Sequence, residues 1–244
     1  MSDQLNETIR TINRLDECVH DAQVSKLMKD LLPGFGADAY IFSTFSPNSE
    51  GHASAYRFLI GCRPEWMQVY QHRHWYSNDP YFYYARYNQA PVSARRVALF
   101  SGGQREMLET ARRYGLRSSV IVPVHARATA LIGVLQISNA AEPEHGGETR
   151  LMQYKALFRG IAGSLLDSRI ASQERFLVKR FELSETELWA LRRVLRGESA
   201  REVASQLGRS VATVYALYAR INAKMRVGRV TAAAKLAFQQ GLLI

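Results

Sequence analysis

The sequence predicts two units of different class. The first is an α+β domain, an antiparallel sheet with helices on its faces; the second is an all-α, four-helix domain containing a helix-turn-helix. Three observations carry this. Strand and helix patterns mix through the first two thirds of the 244-residue chain without the βαβ repeat of a parallel sheet. The last quarter reads as short capped helices punctuated by glycines. The charge is uneven: residues 179–244 hold 12 Lys+Arg and 5 Asp+Glu, net +7, whereas residues 1–178 hold 20 and 17, net +3, of the total +10. The expected boundaries are 1–165, a linker over 166–180, and 181–244.

The elements follow in order. Ile9, Ile12, Leu15, Val19, Leu27 and Leu31 fall near helical spacing, so one helix is expected over 3–31. Pro33-Gly34-Phe35-Gly36 ends it. Residues 38–45 and 55–61 read as strands around the polar loop SPNSEGH. Pro64 suits the first turn of a helix over 64–72. Asn78-Asp79-Pro80 breaks the chain before an aromatic helix, 80–88. A helix over 103–114 closes on Gly115. Residues 118–125 and 130–138 are the strongest strand candidates, and a polar loop, 139–147, leads to a long helix over 148–172.

In the last quarter, Ser184 with Glu187 and Ser199 with Glu202 form capping-box pairs for two helices, with Gly197 and Gly208 as their ends. Ser210 caps a third helix, 211–225, whose inner face is Val214, Leu217, Ile221 and Met225. A fourth, 229–240, completes the core. Helix, glycine turn, helix is the pattern of a DNA-binding unit. The outer face of the third helix carries Thr213, Tyr215, Tyr218, Ala219, Arg220 and Lys224, with Arg209 just before its cap. Hydroxyls and cations there suit phosphates and base edges of duplex DNA.

Composition excludes several classes. At 47% hydrophobic and 22% charged, the chain is not compositionally disordered. It has no apolar run of 18 residues, so no membrane span is expected, and its polar start lacks a secretory pattern. Cys18 and Cys62 are its only cysteines, too few for a disulfide framework, and a reduced cytoplasmic protein is expected. Neither a metal nor a cofactor is expected: Gly102-Gly103 lacks phosphate-loop spacing, and His72 and His74, two apart, diverge on a helix.

The segment LSETELWALRRVLRGESAREVASQLGRSVATVYALYARINAKM resembles the DNA-binding domain of LuxR-type transcription regulators. Leu183, Glu187, Leu191, Gly197, Glu202, Ala204, Leu207, Ser210, Thr213, Val214, Lys224 and Gly241-Leu242 match the family pattern. Thr186, Trp189, Leu217 and Arg220 depart from it. The resemblance implies a DNA-binding regulator acting as a homodimer on a roughly palindromic operator.

Upstream, Trp66-x3-Tyr70-x8-Asp79-Pro80 resembles the autoinducer-binding domain of quorum-sensing regulators, as do Gly115-Leu116-x6-Pro123-x-His125 and Gly133-x-Leu135-x-Ile137-Ser138. The resemblance implies that Trp66 donates to a lactone carbonyl, that Asp79 accepts from the ligand amide, and that Tyr70 forms a wall. Cys62 stands where the family has a tyrosine donor, and a family tryptophan is missing near Ser93-Ala94. Ser119 and Gln136 replace a glycine and a serine. Aromatic residues at 75, 76, 81, 82, 83, 84 and 87 are available to fill the space. Three readings stay open. One is a regulator sensing an acyl-homoserine lactone or related small signal; another is a ligand-independent regulator with a self-filled pocket; the third is an enzyme acting on a lactone or amide. Trp66 and Tyr70 also fit a plain core face, and Asp79 a plain helix cap.

Overall fold

The computed structural model describes residues 2–15, 17–18, 20–46, 56–127, 130–239 and 242–243, without the side chains of 2–5. Val19, Ala55, Gly241 and most of the loop over 46–52 lie outside the described residues. The chain divides into two compact units, Met1–Ser168 and Arg169–Ile244.

The first unit opens with α1 (Ser2–Asn13) and α2 (Asp21–Leu31) in place of the single helix expected over 3–31. Between them the backbone closes tight turns, Leu15 N–H to Ile12 and Cys18 N–H to Leu15. His20 is extended and α2 starts afresh, with the Gln23 side chain accepting from the His20 N–H at 3.1 Å. Periodicity misleads here because the turn keeps Ile12 and Leu15 buried.

Then come β1 (Ala39–Phe45), β2 (Tyr56–Gly61), α3 (Pro64–His72), α4 (Pro80–Tyr87), the two-residue β3 (Val92–Ser93), α5 (Gly102–Arg113), β4 (Ser118–His125) and β5 (Ile132–Asn139). All pairings are antiparallel, in the order β2-β1-β5-β4-β3. β3 was not expected; two residues carry no readable alternation. The three central strands are buried almost throughout. Alternate residues therefore serve two cores. Ile41, Phe45, Tyr56, Ile121 and Val134 join an aromatic cluster with residues of α3, α4 and α5. Phe42, Val120, Leu135 and Ile137, of opposite parity, are buried on the other face. Gly133 is fixed by that packing, since a Cβ there would come within 2.7 Å of Val124.

The long helix expected over 148–172 is α6 (Gly147–Met152) and then α7 (Lys155–Phe181). Neither Gly nor Pro interrupts residues 164–182, so α7 runs on until Glu182 turns left-handed at φ 51°. Residues 166–180 are thus helical.

In the second unit, α8 (Glu185–Leu195), α9 (Ala200–Leu207), α10 (Val211–Met225) and α11 (Val230–Gln239) pack around Leu191, Val203, Val214, Ile221, Ala233 and Leu242. The caps form as expected: Ser184, Ser199 and Ser210 each accept from the backbone three residues on, and Gly208 is left-handed. Lys224 ties α10 to α8. Its ammonium donates to Glu187 Oε2 and to the Glu182 carbonyl, both at 2.7 Å. Burial pushes the Glu187 carboxyl up, but Lys224 and the Ser184 N–H overcome this and hold its pKa below the usual value. Among the described residues, no helix is long and apolar enough to cross a membrane.

Lys224→Ala leaves the Glu187 carboxylate, 3% exposed, without its cation. The second unit should lose about 1–3 kcal/mol. Amides of α8 and α10 should then exchange with deuterium measurably faster in the full chain, and unchanged protection would show that the pair is dispensable.

Candidate functional site

Pro64 starts α3 and its buried face is Trp66, Met67 and Tyr70, spaced as one helical stripe. Asp79 then caps α4: its Oδ1 accepts from the Tyr81 N–H at 2.7 Å. Its Oδ2 accepts from the Tyr70 hydroxyl, also at 2.7 Å. The plain-cap reading of Asp79 is therefore true, and incomplete. One carboxylate, 7% exposed, joins two helices across the face of the sheet.

Trp66, Tyr70 and Asp79 line one interior cavity with Gln136, Ser43, Ile41, Phe58, Tyr81, Phe82, Met107, Leu108 and Ala111. The triad spacing thus brings its three residues to one place. Two other expected site residues are not on this lining. Ser119 lies behind Gln136, whose Nε2 donates to the Ser119 hydroxyl at 3.1 Å, and Ser119 and Ser138 share a hydrogen bond of 2.8 Å. Cys62 packs at the edge of the aromatic cluster, and burial pushes its thiol up to about 11, so it remains a thiol. Ser43, Met107, Leu108 and Ala111 were missed; their strand and helix patterns mark burial, not what they face.

The cavity measures about 20 Å³. That is room for little more than one water. The aromatic residues fill the space: Trp75 lies 5.5 Å from Trp66, and Tyr81 and Phe82 turn inward. Tyr83 and Tyr87 face out, 49% and 73% exposed. An open cleft of about 440 Å³, lined by Tyr56, Tyr76, Arg86 and Gln104 among others, shares Asp79 and Phe82 with the cavity.

Two polar groups here bear on what the cavity can hold. The Trp66 indole N–H is buried and has no hydrogen-bond partner among the described residues. Such a donor costs about 1–3 kcal/mol. Asp79 is pushed up to about 6, because burial outweighs the hydrogen bonds from Tyr70 and from the Tyr81 and Phe82 N–H groups. A carboxylate has about four acceptor positions, so Asp79 retains capacity for a further donor. A donor and an acceptor on the lining of one mostly apolar cavity suit a ligand carrying a carbonyl and an N–H or O–H.

In the second unit, α10 presents Tyr215, Ala219 and Arg220 to solvent, with Thr213 and Arg209 also exposed. The Thr213 hydroxyl shares a 2.8 Å hydrogen bond with Ser210. Two of the expected interface residues are less available to a partner than the rest. Tyr218 is only 7% exposed; it lies four residues from Val214 and three from Ile221, on the buried stripe. Lys224 is held by Glu187 and Glu182, as above. Ala212 and Ala216 were missed although they are exposed; their spacing of four from each other is the readable signal.

Residues 20–168 match the family model of the autoinducer binding domain, and residues 182–237 match that of bacterial regulatory proteins of the luxR family. No curated protein sequence matches the chain. Among solved structures, SdiA in complex with octanoyl-rac-glycerol is 16% identical, with a TM-score of 0.65 over 98% of this chain and 96% of that one. Escherichia coli SdiA in another crystal form is 17% identical, TM-score 0.64, over 98% and 99%. The N-acylhomoserine lactone-dependent LuxR family factor CepR2 from Burkholderia cenocepacia is 12% identical, TM-score 0.56, over 68% and 95%. At these identities the likeness is one of fold.

The Asp79 shift has a signed consequence. Between about pH 4 and 6 the folded chain keeps a proton on Asp79 that the unfolded chain has released, so the carboxyl destabilises the fold as pH rises. Relative to wild type, Asp79→Asn should gain roughly 2–3 kcal/mol between pH 4 and pH 7. Urea unfolding of both proteins at the two pH values measures this; a pH-independent difference between them contradicts the assignment.

Proposed function

The chain belongs to the LuxR family of bacterial regulatory proteins, with an autoinducer-binding domain ahead of its DNA-binding domain, and from that premise we propose that it is a transcription regulator whose DNA binding responds to a small acyl signal. The observation that carries the ligand half is the buried, unpartnered Trp66 N–H on the same cavity as Asp79. A carbonyl of the ligand accepts from Trp66, an N–H or O–H donates to Asp79, and an acyl chain lies against Ile41, Phe58, Met107 and Phe82. An acyl-homoserine lactone has these groups, and so does a neutral acyl ester that carries a free hydroxyl. The SdiA complex with octanoyl-rac-glycerol supports the second chemistry for this fold. Cys62 lacks the family tyrosine that donates to the acyl carbonyl, and the absence near Ser93-Ala94 of the family tryptophan that packs on the lactone ring removes a contact specific to a lactone head.

The small cavity favours a second reading, a regulator that fills its own pocket and needs no signal. The two readings differ in what a ligand must do. With about 20 Å³ available, an acyl chain enters only if side chains such as Phe82 and Met107 move. The regulator acts as a homodimer, presenting two copies of α10 to half-sites about one helical turn apart. Arg209 and Arg220 belong to the phosphate-facing rim.

A thermal-shift panel of octanoyl-rac-glycerol and acyl-homoserine lactones of several lengths should include at least one compound that raises the melting temperature. Trp66→Phe should weaken that compound about 10-fold, the loss of one hydrogen bond. If no compound shifts the wild-type protein while it still binds DNA, the self-filled reading replaces the first.

DNA affinity should fall with salt, and Arg220→Ala should reduce the slope of log K against log salt by about 1 if one phosphate contact is lost. An unchanged slope and affinity would remove Arg220 from the interface.

A further inference from the structure

α10 carries an unusual set of groups on the face that the luxR-family match makes the DNA-reading one. The side chains that usually read bases by paired hydrogen bonds are Arg, Lys, Asn and Gln. Over residues 211–220 only Arg220 is of that kind. It stands about 13 Å along the helix axis from Val211. Recognition helices reach base edges with their N-terminal residues, so this position suits the groove rim and its phosphates. The other cation expected here, Lys224, is held by Glu187. What α10 offers the groove floor is Tyr215, 61% exposed, flanked by the exposed Ala212 and Ala216. Tyr215 is braced rather than loose: its ring meets that of buried Tyr218 edge-on, 6.3 Å between centroids at 89°.

We propose that this protein reads its operator chiefly through apolar contact of Tyr215 and the flanking alanines with thymine methyl groups, so that the core of each half-site is rich in A·T pairs and contains no guanine fixed by a paired hydrogen bond. Only thymine presents a methyl group in the major groove, so small apolar side chains backed by one aromatic ring discriminate it by contact alone. The proposal rests on the DNA-binding reading above and specifies what that surface recognises.

The test starts with selection of bound duplexes from a random library by the full-length protein, as purified and with the ligand panel. Each thymine of the selected core is then replaced by deoxyuridine, which lacks only the methyl. The expected core is A·T-rich, with at least one thymine whose replacement weakens binding about 4-fold, the worth of one buried methyl. In Tyr215→Ala the penalty at the contacted thymine should vanish, and in Tyr215→Phe it should persist, since the ring and not the hydroxyl makes the contact. Three results would overturn the proposal. One is a core in which deoxyuridine and thymine bind equally. Another is a core with an invariant guanine that 7-deazaguanine cannot replace. The third is enrichment of no sequence at all, which would defeat the DNA-binding reading as well and so separates the two failures.

Discussion

The sensor unit turns on one buried carboxylate. Asp79 ends the irregular stretch after α3, starts α4 by capping it, and takes the Tyr70 hydroxyl from α3. Remove it and two helices lose their mutual reference, and with them the placement of Trp66, Tyr81 and Phe82 around the cavity. Desolvation lifts its pKa to about 6, so near neutral pH the unit carries a mostly ionised carboxylate at some expense. A ligand donor would relieve that expense at the point where Trp66 holds an unused N–H. The same two atoms that strain the fold define the chemistry it can accept.

The second unit shows how local and long-range causes divide what a sequence reveals. Its three serine caps, two glutamate capping partners and the left-handed Gly208 depend on neighbours within four residues, and each was readable. Lys224 was not, because its partner, Glu187, lies 37 residues away. Tyr218 was misplaced because an amphipathic aromatic fits either face, and only packing against Val214 and Ile221 decides. In the first unit the triad Trp66, Tyr70 and Asp79 was legible as spacing, and the structure brings it to one cavity. Ser43 and Met107 were not legible, since burial patterns do not distinguish a core residue from a cavity wall. The break after Asn13 was hidden for the same reason: Ile12 and Leu15 stay buried through the turn.

The two surfaces solve recognition in opposite ways. The cavity is mostly apolar with one unpartnered donor, Trp66 Nε1, a lining that would suit a hydrogen-bonding head on an apolar body. The α10 face is solvated and weakly polar, and in the proposed reading charge would supply affinity and contact would supply discrimination. Departures from the family pattern fall on both, at Gln136 on the cavity lining and at Arg220 on α10.

In the proposed reading the Trp66 N–H is reserved for a ligand. The indole N–H resonance of Trp66, assigned in ¹⁵N-labelled protein by comparison with Trp66→Phe, reports it directly. The account predicts that the compound giving the largest thermal stabilisation moves this resonance downfield and slows its exchange with solvent, as a new hydrogen bond requires. A bound compound that leaves the Trp66 resonance and its exchange unchanged would contradict it.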